Sequence, residues 1–126
     1  MKITLLTYGT RGDVQPFVAL AVGLRRAGHR VRVAAPQRFA GLAAQHGLPF
    51  AGLPGDPGEL SRLMNEARGP VAQIRAVAGF AFAIAGEVAR AAFAACDYAE
   101  LIVHGLLFTT GAHSLARAKG IPDVSL

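Results

Sequence analysis

Short apolar runs with β-branched members alternate with helix-period stretches along this chain, and that alternation restricts the fold more than any other feature. Ile3 to Thr7 predicts a buried strand, ended by Gly9. Val14 to Ala27 follows with Phe17, Leu20, Ala21 and Leu24 at the spacing of one helical face, stopped by Gly28. Asp13 stands where an N-cap belongs, and Pro16 is tolerable in a first turn. Val31 to Ala35 predicts a second strand, Gln37 to His46 a second helix, and Leu48 to Leu53 a third strand. The intervals are those of βαβ units, so the sequence specifies an α/β fold: a parallel sheet with helices on both faces.

Beyond Leu53 the rhythm changes. Pro54-Gly55-Asp56-Pro57-Gly58 is turn chemistry, Glu59 to Ala67 predicts a short helix, and Pro70 to Ala95 a long Ala-rich one. Phe80, Ile84 and Val88 share a stripe of that helix, while Gly79 and Gly86 weaken it and are candidate bends. Phe80, Phe82 and Phe93 are expected in the core, with an apolar wall for a lipid-like molecule as the alternative. Leu101 to His104 is a further strand, Thr109 or Thr110 to Lys119 a helix ended by Gly120, and Val124 to Leu126 the start of another strand. A sheet interrupted there reads as the front half of something larger.

Composition narrows the function. The 126 residues suit a single domain, and the one cysteine, Cys96, leaves no disulfide framework or cysteine-based zinc cluster and fits a reducing cytoplasm. The uncharged apolar stretch Ala76 to Gly86 falls short of the ~20 residues that a membrane span needs, so a soluble, cytoplasmic domain is expected. Thirteen Lys and Arg against eight Asp and Glu give +5. The densest basic stretch, Arg25, Arg26, Arg30, Arg32 and Arg38, has no interleaved aromatic residue, so no specific nucleic-acid partner is expected. A loose attraction to an anionic membrane surface, or an anionic ligand, makes better use of the excess.

In parallel α/β sheets ligands gather at the carboxyl ends of the strands, which directs attention to Gly9 to Asp13 and to the segment after His104. The dinucleotide fingerprint fails there, because Arg11 and Val14 stand where its second and third glycines belong. No Gly-Lys-Ser/Thr phosphate loop, Gly-x-Ser-x-Gly elbow or His-Glu-x-x-His metal motif occurs, and no metal site is expected. Two glycines and a helix N-terminus remain, with Thr10, Arg11 and Asp13 projecting from them. On spacing alone Asp13 is a cap before it is a catalytic carboxylate, Thr10 a turn residue and Arg11 a solvated charge. His104 is either a pocket residue or a satisfied structural histidine, and His113 and His46 are structural.

The stretch Leu5 to Ala21, with Gly9-Thr10-Arg11-Gly12-Asp13-Val14-Gln15-Pro16 at its centre, resembles the opening of nucleotide-sugar glycosyltransferases of the GT-B fold. It is most similar to the sterol glucosyltransferase branch, shared with bacterial enzymes that glycosylate antibiotics and lipids. Leu53 to Leu60 and Ala116 to Pro122 agree with it. The resemblance implies a Rossmann-like N-terminal domain over 1–126 that holds a hydrophobic acceptor, sterol-, lipid- or polyketide-like. A C-terminal domain absent from these residues would hold most of a nucleotide-sugar such as a UDP- or dTDP-hexose. That hexose would pass to the acceptor hydroxyl with inversion and without a metal, and the fragment alone would be inactive.

Related plant enzymes carry His where Asp13 stands, polarised by an acid that falls near Gly105. That acid is missing here, which favours Asp13 as the direct general base. Thr10 and the Gly9 and Gly12 amides would meet the donor, and Arg11 and His104 would be further substrate-binding residues. A stand-alone Rossmann-type nucleotide- or ligand-binding module without catalysis is the alternative.

Overall fold

The computed structural model describes residues 1–126. Five strands, β1 (Lys2–Leu6), β2 (Arg30–Pro36), β3 (Phe50–Leu53), β4 (Leu101–His104) and β5 (Asp123–Ser125), form one parallel sheet in the order β3-β2-β1-β4-β5. The helices are α1 (Arg11–Arg26), α2 (Ala40–Gln45), α3 (Pro57–Glu66), α4 (Pro70–Ala95) and α5 (Thr109–Lys119). This is the Rossmann-like arrangement, and its strand order reverses between β1 and β4.

Successive side chains of a strand alternate faces, and both faces of β1 are covered. Ile3 and Leu5 join Val31 and Val33 of β2 against Val14, Phe17, Val18 and Ala21 of α1. Leu6, Ala34 and Ile102 pack on the opposite face against Ala92 and Ala95 of α4 and Ala112 and Ala116 of α5. Thr4 is fully buried on that second face, and its hydroxyl donates to the Ala95 carbonyl at 3.3 Å.

Several boundaries differ from the sequence expectation. α1 begins at Arg11 because Thr10, with extended φ −84° and ψ 178°, is its N-cap; Asp13 is the third helical residue. Pro16 therefore lies in the second turn, where it cannot donate to the Gly12 carbonyl. The second helix is split, since Gln37–Phe39 forms a 3₁₀ turn ahead of the short α2. α4 runs unbroken through Gly79 and Gly86.

The α4 side chains also depart from expectation. Only Ala92 and Ala95 of this helix are buried, while Val71, Ile74 and Phe82 are exposed. Its most apolar window has a mean hydropathy of 1.5, so by length and composition α4 is sufficient to cross a membrane, although its longest uncharged run is shorter. In this structure it packs beside α3 and the β3 end of the sheet.

Leu5 is fully buried in the central strand, so Leu5→Ala is expected to destabilise the fold by about 2–5 kcal/mol. Urea denaturation measures this directly, and a loss well under the lower figure would contradict the packing described.

Candidate functional site

The Gly9 to Asp13 loop leaves the carboxyl end of β1 at the point where strand order reverses. Its geometry is organised around one carboxylate. Asp13 Oδ2 accepts hydrogen bonds from the Thr10 backbone N–H at 2.7 Å and from Thr10 Oγ1 at 3.0 Å. A third-position carboxylate that reaches back to the N-cap is half of a capping box, and negative charge there is favoured by the helix dipole.

Asp13 Oδ1 has no hydrogen-bond partner within the protein and the side chain is exposed, so one oxygen is anchored and the other is free. Gly9 makes this possible. It sits at φ 139°, and a Cβ there would collide with the Asp13 carboxylate. Thr7 Oγ1 donates to the Asp13 carbonyl at 3.1 Å and ties the first helical turn to the strand end. The Arg11 and Gly12 amides lie in that first turn, where no intrahelical acceptor exists. Arg11 is exposed and forms no ion pair with Asp13.

Beside the loop, on the α4 and α5 face of the sheet, a groove of about 650 Å³ opens. Leu6 and Tyr8 form its floor at the end of β1, Ile84 and Val88 one wall, and Phe108 and Leu115 the other. No charged residue lines it, and its only side-chain hydroxyls belong to Tyr8 and Ser114. The expected core placement of the α4 phenylalanines is corrected here. Phe80 and Phe93 line the groove, with the Lys119 ammonium 3.9 Å from the Phe93 ring centre, and Phe82 is 86% exposed. An Ala-rich helix with three charged residues has no strong polar face to set its rotation, and it presents Phe80 and Phe93 to the groove while leaving Phe82 to solvent.

His104 ends β4 on the same face but lies outside the groove. It is 1% exposed, with Nε2 3.1 Å from Asp123 Oδ2 and Nδ1 3.4 Å from the Gly105 carbonyl. His113, on α5, places Nδ1 3.1 Å from the other Asp123 oxygen. One carboxylate of β5 thus ties the end of β4 to α5, which favours the structural account of His104 over pocket lining. At Gly105 a Cβ would face Phe17 at 3.4 Å and Thr7 Oγ1 at 3.7 Å.

Residues 3–111 match the glycosyltransferase family 28 N-terminal domain. The chain belongs to that family. It is 38% identical over 124 residues to a sterol 3-beta-glucosyltransferase of Gibberella zeae, which covers 97% of this chain and 8% of the relative. It is 56% identical over 57 residues to the O-mycaminosyltylonolide 6-deoxyallosyltransferase of Streptomyces fradiae, covering 45% of this chain and 14% of the relative. Among solved structures, the calicheamicin glycosyltransferase CalG4 superposes with a TM-score of 0.79 at 19% identity, over 98% of this chain and 31% of that one. The glycosyltransferase SsfS6 of Streptomyces sp. SF2575, complexed with thymidine diphosphate, gives 0.73 at 24%, over 99% and 38%. At these identities the likeness shows the fold. The chain spans a small part of the length of its curated relatives.

Within the family 28 domain, the structure brings Gly9, Thr10, Arg11, Gly12 and Asp13 together and places His104 apart from them. Sequence reasoning missed Tyr8 and Asp123. Tyr8 immediately precedes the glycine loop, and that adjacency was the available signal for it. Nothing local marks Asp123, because its partners come from β4 and α5.

Burial pushes the Asp123 carboxyl up, but hydrogen bonds from His104 and His113 and the charge of both outweigh this and hold it below its ordinary 3.8. A depressed folded-state value means stability that is fully present above the unfolded value and lost as pH falls through the folded one. The stability difference between wild type and Asp123→Ala is therefore expected to shrink as pH falls below 3.8 and the carboxylate is protonated, as read by urea melts. A difference that persists undiminished at about pH 2 would contradict the assignment.

Proposed function

We propose that this domain is the acceptor-binding half of an inverting glycosyltransferase. It would hold a hydrophobic alcohol (sterol-, lipid- or polyketide-like) in the groove and activate its hydroxyl with Asp13. The observation that carries the reading is the junction at Tyr8 and Gly9. The floor of an uncharged apolar groove runs, one residue on, into a loop that displays a carboxylate with one free oxygen. Asp13 Oδ1 takes the proton of the acceptor hydroxyl while the acceptor oxygen attacks the anomeric carbon of the sugar nucleotide. The bond from that carbon to the diphosphate oxygen breaks on the opposite side, and the nucleoside diphosphate leaves with its electron pair.

The Gly9 and Gly12 backbone, Thr10 and the α1 N-terminus face the donor, where unpaired amides and a positive helix end suit a diphosphate, and the exposed Arg11 adds a cation. Most of the donor, a UDP- or dTDP-hexose, is held by a C-terminal domain. Support for this reading comes from relatives named as sterol glucosyltransferases and from a fold neighbour in complex with thymidine diphosphate. Because positioning both reactants supplies much of the rate, residues 1–126 alone bind acceptor without turnover.

Asp13→Asn tests the base in the protein that joins this domain to its donor-binding half. Asn keeps an oxygen for both Thr10 donors, so the fold loses only the charge term at the helix N-terminus, about 0.3–1 kcal/mol. Transfer at saturating donor is expected to fall by about 10²–10⁴ with a nearly unchanged melting temperature. Equal rates in the two proteins would sink the assignment.

A further inference from the structure

Tyr8 is half-buried between the strand end and the groove, and the Pro54-Gly55 turn and Phe108 both meet it. Its hydroxyl donates to the Pro54 carbonyl at 3.0 Å, 46 positions along the chain. Its ring meets Phe108 edge-on, with centroids 6.4 Å apart and planes at 78°. Gly55, at φ 87°, lies directly against the phenol; a Cβ there would collide with the Tyr8 hydroxyl and come within 3.1 Å of Ile84 Cδ1. The turn is further fixed by Asp56, which caps α3 through the Gly58 N–H at 2.9 Å and pairs with Arg38 at 3.3 Å. Burial, and after it the Asp56 charge, raise the phenol's pKa, so the donated proton is retained at neutral pH.

We propose that Tyr8 is a specificity-determining residue of the groove. Its bond to Pro54 fixes the phenol in the groove lining beside the Asp13 loop and so sets the depth at which an acceptor stops. The assignment rests on the groove being the acceptor site. A molecule sliding along the apolar walls meets the Tyr8 phenol immediately before the loop that carries Asp13. The position of that stop determines which acceptor length brings a hydroxyl to the carboxylate. Gly55 is required because any larger residue separates the turn from the phenol.

The test is acceptor binding by the 126-residue chain, which lacks Trp and leaves the fluorescence of dehydroergosterol unobscured. Displacement of this sterol by a ladder of straight-chain alkanols reads the depth of the groove. The wild type is expected to show an optimum chain length. Tyr8→Phe keeps the ring and removes the bond to Pro54; its optimum is expected to move to longer alkanols, with sterol affinity falling up to about tenfold. Gly55→Ala leaves the hydroxyl in place but displaces the turn, and the same shift is expected.

A profile of wild-type shape in both variants overturns the proposal, and so does a uniform loss across the ladder, which is what a merely structural role produces. Melting temperatures identify any variant that has unfolded, and the folded one then decides. A wild type that binds neither the sterol nor any alkanol overturns the acceptor reading itself. Binding by the wild type with unmoved variants removes only the role of Tyr8.

Discussion

β1 is hydrogen-bonded on both edges, pairing Lys2 to Leu6 with Arg30 to Ala34 of β2 and Ile3 to Leu6 with Leu101 to His104 of β4. The chain places β2 and then β3 on one side of it and β4 and β5 on the other, so the order of the sheet reverses beside β1 and a crevice opens at its carboxyl end. The two connections leaving β1 and β4 diverge there to opposite faces. α1 covers one face with Val14, Phe17, Val18 and Ala21, joined by Phe39 and by Ala43 of α2. α4 and α5 cover the other only in part, because their buried positions are alanines, and the uncovered remainder is the groove. The loop and the groove are consequences of the same strand.

The loop also shows how a stabilising contact and a chemical group coincide in one side chain. A cap and a base look like rival roles for Asp13 as long as the residue is placed at the N-cap. At the third helical position they separate by atom. Oδ2 is held by two Thr10 donors, and Oδ1 is left to solvent. The same bonds that complete the helix start restrict the rotamer of the carboxylate, which is what a proton acceptor needs for orientation. The absent side chain at Gly9 is the condition for both.

The strands and most helix ends were legible because their signals are local. Apolar β-branched runs marked β1, β2 and β4, and Pro70 and Gly120 marked a start and a stop that the structure keeps. The start of α1 was misplaced because Thr10 and Asp13 are both good N-caps, and only the backbone angles at Thr10 separate them. The loop residues from Gly9 to Asp13 were found through their motif, but their mutual contacts were not. The rotation of α4 was hidden by its alanines. Tyr8 with Pro54, and His104 with Asp123, are joined by tertiary packing across 46 and 19 positions, and no pattern in one sequence announces such pairs.

The central claim is that the apolar groove and the Asp13 loop form one site at the end of β1. Backbone amide chemical shifts recorded while a solubilised sterol is titrated into the chain test it most directly. The account predicts perturbations at Tyr8, Gly9 and Thr10 together with Ile84, Val88 and Ala112, saturating along a single binding curve. Perturbations confined to the α1 and α2 face, or changes in the groove that leave Gly9 and Thr10 unmoved, would contradict it.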